Sequence, residues 1–155
     1  MASHFGQHDR HMGLATLWLL AACGAAGPDD SSLLRGGERQ PAVLAFYGDT
    51  SSVELVSSTR VGEATAVRFT SFGGGCIRRD TTVAEVSGLS AEVRPFRIEP
   101  TELPPNSACT SELRLDQNVV QLRFAQPGRA RVRIVGLARP GDRPFVIERE
   151  LQVAP

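Results

Sequence analysis

Hydrophobic and polar positions alternate most clearly in the stretch VVQLRFAQPGRARVRIVGL, residues 119–137. Val120, Leu122 and Phe124 fall on one face of an extended chain, with Gln121 and Arg123 on the other. After Gln126-Pro127-Gly128, Ala130, Val132 and Ile134 point one way and Arg129, Arg131 and Arg133 the other. A period of two is the mark of a strand with one buried face, and a Pro-Gly pair between two such runs marks a turn. The same reading predicts strands over 42–47, 53–56, 64–72, 81–86, 90–98, 118–124, 129–137 and 144–153. Gly, Pro, Ser and Asp punctuate them. No apolar stripe of helical period persists over three turns, so the pattern predicts an all-β body from 42 to 155.

The alternation also nominates a core: Val67, Phe69, Leu122, Phe124, Val132, Ile134, Phe145, Ile147 and Leu151. On the last strand, parity puts Arg149 on the same face as Ile147 and Leu151, which is costly for an unpaired charge. A bulge near Arg149, or a strand end where its guanidinium reaches solvent, is expected. Glu148 and Glu150 take the outward face, where they can pair across to Arg131 and Arg133.

The run through Pro127-Gly128 into a penultimate strand, followed by a closing strand, resembles the end of a bacterial immunoglobulin-like domain. That resemblance spans roughly residues 50–153 and implies an antiparallel β-sandwich. The family often carries a Tyr two residues after the Gly; here the position is Ala130. Nothing about activity follows from such a fold.

The N-terminal region reads differently. Residues 12–22 form an apolar run of about 11, against the roughly 20 needed to cross a bilayer. It follows a stretch whose only basic residue outside histidine is Arg10, and it ends in Leu20-Ala21-Ala22-Cys23. Charge, then apolar run, then small residues is the layout of a secretory signal. The four-residue ending resembles the bacterial lipobox. The resemblance implies cleavage before Cys23, removal of residues 1–22 as a lipoprotein signal peptide, and lipidation of Cys23. Its partner is then the membrane, reached through the lipid anchor, and its location the bacterial cell envelope. Gly24, rather than Asp, follows the cysteine and points to outer-membrane attachment by analogy. Met12 is a second candidate start. From 24 to 41 the chain is GAAGPDDSSLLRGGERQP, which predicts a flexible tether over 23–41, with a reach of about 25 Å.

Composition narrows the chemistry. The 155 residues carry 17 basic and 17 acidic side chains, and every basic one is arginine. Neutrality excludes the cationic excess that nucleic-acid binding requires. His4, His8, His11 and Trp18 all precede Cys23, so a chain cut there has no imidazole base, no histidine metal ligand and no lysine for Schiff-base chemistry. No catalytic, cofactor-binding or metal residue is nominated, and a non-enzymatic binding or structural role with an unidentified protein partner is expected. The competing reading is a periplasmic enzyme or enzyme inhibitor working through surface carboxylates or through the loops 73–80 and 99–110. Cys76 and Cys109 are left as a pair once Cys23 is assigned to lipid, and export makes a disulfide between them the default. Closing that loop is worth about 3.5–4 kcal/mol in the chain-entropy model. Gly73-Gly74-Gly75 beside Cys76 is expected to form a turn that lets the bridge approach. Arg78 and Arg79 next to it leave an anion site as the alternative.

Overall fold

A computed structural model of the chain describes residues 37–47, 50–51, 53–103 and 108–155. The expected signal peptide 1–22, Cys23 and the tether up to residue 36 lie outside these residues. Among the described residues the structure is all-β, with twelve strands. They are β1 (Gly37–Pro41), β2 (Val43–Leu44), β3 (Phe46–Tyr47), β4 (Thr50–Ser51), β5 (Val53–Glu54), β6 (Ser58–Arg60), β7 (Thr65–Gly73), β8 (Arg78–Ser87), β9 (Ser90–Pro100), β10 (Arg114–Leu122), β11 (Gly128–Ala138) and β12 (Arg143–Ala154). Strands β3 and β4 pair with each other; the other ten belong to one sheet that curls on itself.

Long hairpins build the sheet. Strand β8 pairs with β9 and β11 with β12, and β9 lies parallel to β11 over 90–93 and 131–134. On the other side β7 pairs with β10 along its whole length, and β5 adds to β7. The β6 strand closes against the end of β12. Where the sheet curls, the free edges of β8 and β10 come together without a ladder. Side chains span the seam: Arg79 donates to the carbonyl of Gln117, and the Thr82 hydroxyl donates to the Asn118 side-chain oxygen at 3.3 Å.

One segment stitches the two halves. The stretch 42–47 was expected to be a single strand, but four consecutive residues, Ala42, Val43, Leu44 and Ala45, are all buried, which alternation cannot produce. They cross from one half to the other. Ala42 donates to the Pro95 carbonyl on β9 (2.9 Å) and accepts from Leu137 on β11 (3.0 Å), and Ala45 then donates to Thr70 on β7 (2.9 Å). The crossing passes over Gly136, where an added Cβ would lie 2.7 Å from the Ala42 oxygen.

The end of the expected tether is structured. Residues 37–41 form β1 and pair with β9 from Gly37–Pro100 to Pro41–Phe96. Polar residues hold this edge: Arg39 binds Asp80 at 2.8 Å and Thr81 at 2.5 Å, and its guanidinium lies over the Phe96 ring, 3.9 Å from the centroid. Asp80 and Thr81 are available because β8 bulges between Arg79 and Thr82.

The core gathers where alternation placed it. Val67, Phe69, Leu122, Phe124, Val132, Ile134, Ile147 and Leu151 are buried, and Phe145 is partly buried against them. The bulge expected near Arg149 is absent, since β11 and β12 pair residue for residue from Gly128–Val153 to Ala138–Arg143. Arg149 stays opposite Val132 and sends its guanidinium to the Glu148 carbonyl (2.8 Å), in an exposed position. A long arginine stem reaches water without breaking the ladder. On the outer face Arg133 pairs with Glu148 (3.2 Å) as expected and also with Glu92 (3.1 Å). Glu150 pairs with Arg129 (3.6 Å) rather than Arg131, its register partner.

Candidate functional site

Both loops nominated from the sequence meet at one end of the sheet. Strand β7 ends at Gly73, and Gly74 and Ile77 then exchange backbone hydrogen bonds (3.4 and 3.0 Å) across a tight turn. Gly74 and Gly75 have φ of 114° and 59°, a region that favours glycine. A Cβ on Gly75 would lie 2.7 Å from the Thr110 oxygen, and one on Gly74 would lie 2.1 Å from the Glu112 oxygen. The glycines therefore let the segment returning from 108 to 113 lie directly on the turn. The Cys76–Cys109 disulfide fastens it there, with Cα atoms 5.1 Å apart, inside the usual range for a bridge.

Around this tie lies a cleft of about 490 Å³. Its walls are the glycine run, the disulfide, Glu99 and Pro100 at the end of β9, Leu103, residues 110–113, and Arg139 from the turn between β11 and β12. A smaller hollow of about 240 Å³, bounded by Leu44, Phe72, Leu113, Ala138 and Arg139, adjoins it. The Arg139 guanidinium lies 5.7 Å from the centroid of the Phe72 ring. Leu103, Leu113 and Leu115 are 40%, 58% and 46% exposed, and they are the exposed leucines among the described residues.

Charge on the rim is largely committed to structure. Arg97, buried on the inner face of β9, binds Asp142 at 2.8 Å and Glu99 at 3.3 Å, which pins the turn before β12 to the end of β9. Arg114 binds Asp116 at 2.7 Å, and that hydrogen bond and charge raise the arginine pKa above its ordinary value. Arg79 spans the β8–β10 seam and so is spent on closing the sheet; the Arg78 Nε is buried without a hydrogen-bond partner. The anion site considered for Arg78 and Arg79 therefore loses Arg79 as a free donor.

Both described cysteines are bonded to each other, and among the described residues no three His, Cys, Asp or Glu side chains converge to hold a metal. Two carboxylates, Glu99 and Glu112, line the cleft, but Glu99 already accepts from Arg97. The cleft is thus lined by the backbone of the glycine turn, Leu103, Leu113 and Arg139 beside these acids. Sequence reasoning found the glycine run, Cys76, Cys109 and the 99–110 loop. It missed Leu113 and Arg139. Arg139 arrives from a turn distant in sequence, whereas Leu113 opens the alternating Glu112-Leu113-Arg114-Leu115-Asp116, a signal that lies before the strand expected at 118–124. Lipidation at Cys23 lies outside the described residues. Comparison with protein-family models, with characterised proteins and with solved structures finds no match to this chain.

Proposed function

We propose that this chain is a non-catalytic lipoprotein of the bacterial cell envelope. It is anchored in the outer membrane through Cys23, and its immunoglobulin-like β-sandwich recognises a partner with the disulfide-tied end. The observation that carries this reading is Leu20-Ala21-Ala22-Cys23 at the end of an apolar run too short to span a bilayer. A Cys76–Cys109 disulfide suits an oxidising compartment, and two strand-paired halves around one apolar core suit a sandwich. The reading as a carboxylate enzyme needs two free acids flanking a substrate. Glu99 is occupied by Arg97, so Glu112 is left without a second free carboxylate among the acids of the cleft.

The test is fractionation. Wild-type protein expressed in a bacterium with a lipoprotein pathway is expected in the membrane fraction and in the detergent phase, and Cys23→Ser protein in the aqueous phase. Equal partitioning of the two sinks the proposal.

A further inference from the structure

The end of the domain that carries the cleft is also the end at which the chain enters it. Gly37, the first described residue, pairs with Pro100, and Pro100 lines the cleft. The chain leaves at the other end, where Val153 pairs with Gly128 and with Thr59. Between Cys23 and Gly37 lie residues 24–36. A lipid at Cys23 is thus joined to the domain at its cleft end, and the opposite end lies the length of β11, 11 residues or about 35 Å, beyond it.

The apolar groups are distributed in the same sense. Leu103, Leu113 and Leu115 all lie at the cleft end, whereas the large apolar residues exposed elsewhere are valines scattered over the sheet. Single exposed apolar side chains are ordinary, but a cluster on one end marks a contact surface. Arg139 beside them holds its guanidinium over the Phe72 ring and so places a positive charge at the same end.

We infer that the cleft end is a lipid-facing surface: Leu103, Leu113 and Leu115 rest in the interfacial region of the membrane to which Cys23 is anchored. This rests on the lipoprotein reading and adds an orientation to it. The domain stands on its disulfide-tied end, the β8–β9 turn points away from the bilayer, and a ligand in the cleft is drawn from the membrane surface.

Sequence composition supplies the probe. The chain's one tryptophan, Trp18, lies in the segment that cleavage removes, so a tryptophan placed in the mature domain is the only one it has. Leu113→Trp protein is purified from bacterial membranes, its acylation state is read by mass, and it is returned to vesicles of phosphatidylethanolamine and phosphatidylglycerol containing brominated lipid. Val86→Trp, near the β8–β9 turn at the opposite end, is the control. The expected result is at least twofold stronger bromine quenching and a blue-shifted emission for Leu113→Trp. Acylated protein whose two tryptophans are quenched equally, or not at all, overturns the orientation alone. Protein unmodified at Cys23 overturns the lipoprotein reading and the orientation with it.

Discussion

Phe124 and Ile134 are withdrawn entirely from water within the apolar core, while Arg131 projects outward from β11. Phe124→Ala or Ile134→Ala leaves a cavity and is expected to cost about 2–5 kcal/mol, whereas Arg131→Ala is expected to cost less than about 1 kcal/mol. Urea denaturation of the three variants checks the contrast. An arginine loss as large as the phenylalanine loss would mean that the register of β11 is misassigned. At this scale the sequence was informative because burial follows parity on long strands. Arg149 has the parity of a core residue, and its guanidinium reaches solvent as expected but without the bulge or strand end. Binary patterning treats a residue as apolar or charged, but an arginine is both along its length, and its stem fills the inward position while its head leaves it.

The hairpin elements were legible for the same reason, and the short edge elements were not. Gly37-Glu38-Arg39-Gln40-Pro41 has no apolar alternation, and it becomes β1 only because Asp80, Thr81 and Phe96, distant in sequence, receive Arg39. The Ala-Val-Leu-Ala crossing was read as part of one strand, because a short apolar run does not tell a strand from a buried passage between two halves. The tie between the glycine turn and the returning loop was legible from the cysteines. Neither Cys76 nor Cys109 is expected to react with iodoacetamide in unreduced protein, and both should react after reduction and denaturation. Reduction alone is expected to lower stability by about 3.5–4 kcal/mol. Alkylation of both thiols without reductant would show that the tie does not form. The candidate site was half legible: its floor is a local sequence feature, whereas Leu113 and Arg139 reach it only through the folded paths into β10 and out of β11.

For the molecule as a whole, one sheet does the work of two layers by curling until its own edges meet. The curl stops short of closure. Strand β11 is laddered on both sides, to β12 and to β9 with β2, but β8 is laddered only to β9 and β10 only to β7. Amide hydrogens on the outer edges of β8 and β10 are therefore expected to exchange well before those of β11, with the seam opening ahead of global unfolding. Hydrogen exchange that gives all three strands the protection of global unfolding would show that the seam is closed more firmly than two side-chain bridges allow. The Cys76–Cys109 bond, 33 positions apart in sequence, draws both strands of the β8–β9 hairpin into a closed covalent ring. Thr101, Glu102 and Leu103 lie inside that ring and on the surface. A protease that severs the backbone there liberates no fragment. The two pieces stay joined through sulfur, each still paired with its strands, so the domain can carry a cut chain and remain one molecule.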